Sequence, residues 1–241
     1  MKSNFKKLGP FISEVSEKNI DGLVNNLLGI SIEKKFINSH ANTIGTDMTK
    51  YKVVKNLQFV YGPVTSRNGD KISISLFEGD KCIVSTSYTV FKINQPDVLN
   101  ADYLMLWFGR PEFDRYARYM SHGSAREVFS WEEMCNLHLP IPSLQKQKEL
   151  VKKYKNIIKQ VLINEKKLKN IENTAQLIYK KWFIDYEFPI SKEYAQSLNK
   201  SWLEGKSYKT NKGEMNFIEE IEKAIPISWQ LSSMKDVLDL F

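Results

Sequence analysis

Apolar and polar side chains alternate through the middle of the first half of the chain. Residues 71–77 (KISISLF) carry apolar side chains at every second position, which is the period of a half-buried strand. Residues 82–93 (CIVSTSYTVFKI) are rich in β-branched and aromatic residues, which also favour a strand. Just before the first of these stretches, Asn68 and Gly69 predict a hairpin turn because both residue types tolerate positive φ. We therefore predict that residues 56–93 form strands joined by turns.

The spacing of apolar residues becomes helical after these strands. Between residues 97 and 120, Leu104, Trp107 and Phe108 share one side of a predicted helix. Residues 109–111 (GRP) interrupt the pattern, since glycine and proline both disfavour a continuing helix. A loop of small residues and a short helix follow within residues 121–134. The pattern predicts a single α+β domain over residues 1–142.

A long helix is predicted after this domain. Residues 144–185 contain no glycine or proline, and good helix formers dominate. If unbroken, the helix would be ~60 Å long at about 1.5 Å per residue. Positions at close to 3-4 spacing are Val151, Tyr154, Ile158, Val161, Leu168, Ala175, Ile178 and Trp182. A single apolar stripe needs a partner helix, and because no other segment is long enough, the pattern predicts a coiled-coil-like pairing with another chain over residues 143–188.

The last segment, residues 189–241, is polar and punctuated by glycine before it becomes apolar again near its end. We predict a polar linker followed by the beginning of a further domain. The two prolines of LHLPIPSLQKQKEL, Pro140 and Pro142, predict a stiff elbow between the first domain and the helix, since proline fixes φ and restricts the preceding residue.

Composition and charge limit the class of partner. The chain has 241 residues, 42% of them hydrophobic, and a formal net charge of +7, which favours a polyanionic partner such as nucleic acid. Cys82 and Cys135 lack metal-ligand or redox spacing and fit buried thiols in a reducing cytoplasm. No signal peptide or stretch of about 20 apolar residues is present, so the sequence predicts a cytoplasmic protein without a membrane partner.

Motifs for catalysis are missing from the sequence. There is no G-x-x-x-x-G-K-[ST] loop for a nucleotide and no pattern for S-adenosylmethionine-dependent base methylation. The histidines at positions 40, 122 and 138 have no ligand or nucleophile at a motif distance. We predict that the chain binds rather than catalyses, with no catalytic residue, metal site or cofactor of its own.

Four stretches, in this order, resemble the specificity (S) subunit of type I DNA restriction–modification enzymes. Residues 59–93 resemble the middle of a target recognition domain, with Val84, Ser85, Tyr88, Val90 and Phe91 on a typical strand motif. Residues 123–147 resemble the exit of such a domain, matched at Gly123, Ser124, Ile141, Leu144 and Gln147. YKKWFIDYEFP is similar to the end of the family's spacer helix, and residues 211–231 are similar to its linker and the start of a second recognition domain.

The resemblance implies a fold and a function. The fold would be one mixed α/β target recognition domain, a long spacer helix and a short linker. The function would be DNA recognition that directs methyltransferase and restriction/translocase subunits to a bipartite site, with S-adenosylmethionine, ATP and Mg on those partners. A full S subunit has two recognition domains and two helices, so this chain resembles a half-subunit that pairs with a second copy or with a separately encoded half. The alternatives are a non-enzymatic coiled-coil module that binds nucleic acid or protein, and an inactive truncated remnant.

Candidate contacts lie in polar loops and on the helix. Arg67 and Asn68 are predicted to read base edges in double-stranded DNA, and Lys71 and Lys81 to bind phosphates. Ser124 and Arg126 form a second candidate loop. For two of these residues a structural role competes, because the turn itself needs Asn68 and because Arg126 could pair with Glu127 or Glu132. The resemblance implies that Trp182 and Phe183 contact a second spacer helix and the methyltransferase subunits, whereas Arg110, Arg115 and Arg118 are predicted to form a solvated helix face.

Overall fold

A computed structural model describes residues 5–39, 46–66, 68–123, 126–185, 187–209, 212–227 and 229–238. The chain divides into two compact units, Met1–Ile158 and Lys159–Phe241.

The first unit combines short strands with three short helices and the beginning of a long one. Its strands are β1 (Phe5–Lys7), β2 (Ile12–Val15), β3 (Leu28–Ile30), β4 (Phe36–Asn38), β5 (Lys52–Lys55), β6 (Phe59–Tyr61), β7 (Ile74–Leu76), β8 (Lys81–Val84), β9 (Thr89–Ile93) and β10 (His138–Pro140). Its helices are α1 (Ala101–Phe108), α2 (Pro111–Tyr119), α3 (Trp131–Asn136) and α4 (Leu144–Tyr179), which continues into the second unit.

An antiparallel sheet with strand order β2-β9-β6-β7 forms the centre of this unit. The pairs β1-β10, β3-β4 and β5-β8 are also antiparallel. The predicted strand over residues 82–93 is therefore two strands in different sheets, separated by a turn in which the Tyr88 N–H donates to the Ser85 carbonyl (3.1 Å). Within the stretch 71–77, only Ile74–Leu76 pair as a strand.

Aromatic side chains form the core between the sheet and the helices. The fully buried rings of Phe59 and Phe91 stack at 4.9 Å, and Phe108 of α1 meets Phe59 edge-on at 5.7 Å. The predicted break between the two helices of residues 97–120 is confirmed, because Pro111 starts α2. Cys82 is buried, which raises the pKa of its thiol to about 12. A mixed α/β domain is confirmed.

Hydrogen bonds fix the elbow between the sheet and α4. Gln147 is fully buried; its amide donates to the carbonyls of Val98 and Pro142 (both 2.8 Å) and accepts from the Asn100 N–H (2.9 Å). The Tyr103 hydroxyl donates to the Pro140 carbonyl (2.9 Å). A buried polar group is tolerated when it is bonded in this way, so the first turns of α4 are attached to the body of the unit.

The predicted long helix is confirmed. α4 has 36 residues and continues as a π-helical turn, Lys180–Ile184. None of the helices in the described parts of the chain is both long and apolar enough to cross a membrane.

The second unit also contains folded structure within the segment predicted as a polar linker. Its elements after α4 are α5 (Lys192–Ser197), β11 (Met215–Ile218), β12 (Lys223–Pro226) and α6 (Met234–Leu238), and β11 and β12 form an antiparallel hairpin. Buried Ile190, Ala195, Leu203 and Tyr208 form a small hydrophobic cluster. The rings of Phe188 and Trp229 stack at 5.1 Å. The isolated apolar residues of this polar stretch are sufficient for a small core.

Candidate nucleic-acid interface

Two loops of the first unit are hydrogen-bonded to one another. One joins β6 to β7 (residues 62–73), and the other joins α2 to α3 (residues 120–130). The Thr65 N–H donates to the Glu127 carbonyl (3.0 Å), and the Phe129 N–H donates to the Pro63 carbonyl (2.8 Å). Backbone bonds between loops restrict both of them, so these two loops present one continuous surface.

The predicted turn at Asn68 and Gly69 differs from a two-residue hairpin. β6 and β7 pair as expected, but residues 62–73 join them, and only Gly69 of the two turn residues has positive φ (+61°). The Asn68 side-chain amide instead donates to the Val64 carbonyl (3.3 Å), so Asn68 has a structural role in this loop that differs from the predicted one. That bond uses one N–H and leaves the amide's second N–H and its oxygen for another partner.

A cleft of about 390 Å³ brings together two of the predicted DNA-contacting residues. It is lined by Ile30, Gly62, Pro63, Val64, Asn68, Ser73, Ser87, Tyr88 and Arg126. A Cβ at Gly62 would lie 2.6 Å from the Ser73 hydroxyl, so a larger residue there would displace the Ser73 side chain. Tyr88 is held by its hydroxyl, which accepts from the Ile30 N–H (3.4 Å). Asn68 and Arg126 thus line one polar cleft, although they are far apart in the sequence.

Arg126 is exposed, and no carboxylate lies within 4.0 Å of its guanidinium among the residues that the structure describes. The alternative pairing with Glu127 is not formed, because the Glu127 carboxylate binds Arg118 of α2. Gly123, in the same loop, has φ of +140°, and a Cβ there would overlap the Arg126 carbonyl oxygen. The loop therefore presents an arginine whose donors are available to a ligand.

The two predicted phosphate-binding lysines have different surroundings. Lys71 binds Glu33 (2.8 Å), and the hydrogen bond to that carboxylate raises the pKa of Lys71. Lys81 is exposed and lies directly opposite Lys55 across the β5-β8 pair, while Lys55 binds Glu17 (2.7 Å). The charge of Lys55 is therefore compensated by Glu17, whereas no carboxylate lies within 4.0 Å of the Lys81 amine among the described residues.

A larger cleft, of about 680 Å³, lies beside α1, α2 and the first turns of α4. Its charged side chains are largely paired with each other. The Lys34 amine, nearly buried, donates to Asp114 (2.7 Å) and to the Phe108 carbonyl (2.5 Å), and Asp114 also accepts from the Ile72 N–H (3.2 Å). Burial lowers the pKa of Lys34 despite this pairing. These contacts attach the β3-β4 turn to α2 and indicate a structural role.

α4 and the π-helical turn expose a long series of apolar side chains. Among the predicted interface residues, the exposed ones are Tyr154, Ile158, Val161, Leu168, Ala175, Ile178, Trp182 and Phe183. Val151 is different: it is 8% exposed and packs into the core of the first unit, because it lies on the part of α4 that Gln147 anchors. Val151 is therefore removed from the predicted interface.

The sequence prediction and the observed cleft do not coincide at every residue. Arg67 and Ser124 are outside the described residues. Within the described ranges, no group of three or more His, Cys, Asp or Glu side chains could hold a metal. Sequence reasoning missed the contribution of Ser73 and Ser87 to the cleft. Tyr88 belongs to the strand motif and could have been named as a candidate from the sequence. Its place in the same cleft as Asn68 depends on the turn that separates β8 from β9.

Comparison with known proteins agrees with the sequence resemblance. The family model for the type I restriction modification DNA specificity domain matches residues 27–173, more than half of the chain. No curated protein matches the sequence.

Two solved structures match this chain. The crystal structure of the HsdS subunit from Thermoanaerobacter tengcongensis is 16% identical, with a TM-score of 0.54 over 77% of this chain and 49% of that one. A structure described for complex assembly and conformational transition of the type I R-M system is 14% identical, with a TM-score of 0.48 over 72% and 43% of the two chains. The chain spans about half the length of these structures. It belongs to the family of type I restriction–modification DNA specificity domains.

Proposed function

We propose that this chain is the sequence-reading subunit of a type I restriction–modification complex and directs partner methyltransferase and restriction subunits to a bipartite DNA site. The specificity family is non-catalytic. Methylation, ATP-driven translocation and cleavage would therefore belong to the partner subunits, together with S-adenosylmethionine, ATP and Mg. Such a complex would act in the cytoplasm, where it meets DNA.

The observation that carries this proposal is the cleft that contains Asn68 and the unpaired Arg126. An arginine fork pairs with the O6 and N7 of guanine, and an amide pairs with the N6 and N7 of adenine. Arg67 and Ser124 stay candidates for DNA contact because they are neighbours of these residues in the sequence.

Phosphate contacts would position the domain on the duplex. Lys81 is the stronger candidate for a phosphate contact, because it is exposed and no carboxylate lies within 4.0 Å of its amine in the part of the chain that the structure describes. Lys71 would have to exchange Glu33 for a phosphate, or bind DNA while it remains paired.

The exposed apolar side of α4 supports pairing with a second helix. We propose that two copies of the chain pair through this side. A closed twofold dimer would present two identical reading clefts, and it would therefore recognise a palindromic bipartite site. A separately encoded second half would give a non-palindromic site instead.

The test is co-expression with the cognate modification subunit, followed by sequencing of host DNA for adenine methylation. We expect a new interrupted palindrome in the wild type. Arg126→Ala should weaken the base preference at one position in each half of the methylated motif. A bidentate base contact contributes about 1–3 kcal/mol of discrimination between bases. Lys153→Ala is the control on the exposed surface of α4 and should leave the motif unchanged.

Two outcomes would count against the proposal. A soluble complex without any methylated motif would favour an inactive remnant. Salt-sensitive DNA binding by the purified chain without sequence preference would favour a general nucleic-acid-binding module, because phosphate contacts alone produce that behaviour.

A further inference from the structure

Arg118, on the last turn of α2, forms an ion pair with Glu127 of the loop that carries Arg126. The two side chains are 41% and 39% exposed, so the pair lies at the surface rather than in the core. The carbonyl of the same Glu127 accepts the Thr65 N–H (3.0 Å), which attaches this residue to the other loop of the cleft. Glu127 is thus held through both its backbone and its side chain.

Glu127 lies where its carboxylate would oppose DNA binding if it were released from Arg118. It directly follows Arg126 and precedes Val128, which forms bridges with both His122 and Val64. A free carboxylate here would compete for the Arg126 guanidinium and would repel nearby phosphates. The ion pair with Arg118 prevents both effects, because it neutralises the carboxylate and holds it toward α2.

We propose that Arg118 is a positioning residue that keeps Arg126 available for DNA by holding Glu127. This inference rests on the proposed function and adds to it a specificity determinant outside the cleft. Arg118 is absent from the residues that line the cleft. Its effect on recognition therefore depends on the presence of an acidic side chain at position 127.

The test measures DNA affinity of the full chain in complex with its modification subunit, using a duplex with the methylated motif and a scrambled duplex. Arg118→Ala should weaken binding to the specific duplex roughly 10-fold, as expected when a nearby carboxylate loses its partner and opposes the DNA. Glu127→Gln should bind as the wild type does. The double variant Arg118→Ala/Glu127→Gln should recover to within about 3-fold of the wild type.

Arg115→Ala is the matched control. Arg115 lies on the same helix, is exposed, and contacts Glu112 at 3.9 Å rather than a residue of the loop. Because it removes the same charge from α2, a general electrostatic effect would appear in both single variants. We expect Arg115→Ala to leave the preference for the specific duplex unchanged.

The rescue separates positioning from other roles. If the double variant remains as weak as Arg118→Ala, then Arg118 contacts DNA itself or supports folding, and the inference is wrong. Wild-type affinity in Arg118→Ala would also overturn it. A wild-type complex that does not distinguish the two duplexes would contradict the proposed function itself, and the inference with it.

Discussion

The body of the first unit and the long helix use apolar side chains in opposite ways. In the body, Phe59, Phe91 and Phe108 are fully buried against one another. On α4 and the turn after it, Leu168, Ile178 and Phe183 are about half exposed or more. Burial of apolar area drives both folding and association. The core residues therefore stabilise the single chain, whereas the helix residues can contribute only when another surface covers them.

The largest expected effect lies in the core. Phe59→Ala should lower the free energy of unfolding of the first unit by about 3–5 kcal/mol, because it removes a buried ring and leaves a cavity beside Phe91. Urea denaturation followed by tryptophan fluorescence measures this loss. Tyr119→Ala, at an 81% exposed position on α2, is the control and should change stability by less than about 0.5 kcal/mol. Equal losses in the two variants would contradict the assignment of the core.

The junction between the two regions should show the next largest effect. Gln147→Leu keeps the approximate size of the side chain but leaves the Val98 and Pro142 carbonyls and the Asn100 N–H without this partner. We expect the free energy of unfolding of the first unit to fall by about 2–3 kcal/mol, because these buried polar groups would lose a hydrogen-bond partner. Hydrogen exchange should show faster opening at the start of α4.

Gln160→Leu is the matched control for this prediction. It makes the same substitution on the same helix at an exposed position, so its stability should remain close to that of the wild type. If Gln147→Leu were as stable as this control, the buried hydrogen bonds would not anchor the helix.

Elements that depend on contacts between residues close in the sequence were predictable, and those that depend on contacts between distant residues were not. α4 was predictable because helix formation depends on local spacing and on the absence of glycine and proline over residues 144–185. The same reasoning located both helices of residues 97–120. The division of residues 82–93 between two sheets was not predictable, because strand partners β5 and β6 are distant in the sequence.

The candidate DNA-binding cleft was also only partly predictable, because contacts between distant parts of the sequence form it. Polar loops suggested Asn68 and Arg126 individually, but backbone bonds between two loops bring them to one cleft. The pairing of Arg118 with Glu127 likewise depends on how the loop folds back after α2. Gln147 was visible as part of a family motif, and only the packed structure explains it as an anchor. Val151 matched the helical stripe, yet its burial depends on the surface beneath α4.

A substitution on the exposed side of α4 should have the smallest effect on the stability of the single chain. Its effect should be on self-association instead. Leu168→Asp should weaken self-association by about 1–2 kcal/mol, since it places a charge in the apolar interface, while the stability of the monomer changes by less than about 0.5 kcal/mol. Asn170→Asp is the control: it adds the same charge two residues away, which is about 200° around a helix of 3.6 residues per turn. Sedimentation equilibrium of the full chain should show a dimer for the wild type and for Asn170→Asp, and a Kd raised roughly 5- to 30-fold for Leu168→Asp. A wild-type monomer at tens of micromolar would overturn self-pairing, because an apolar stripe of this length should associate at that concentration if a second copy is its partner.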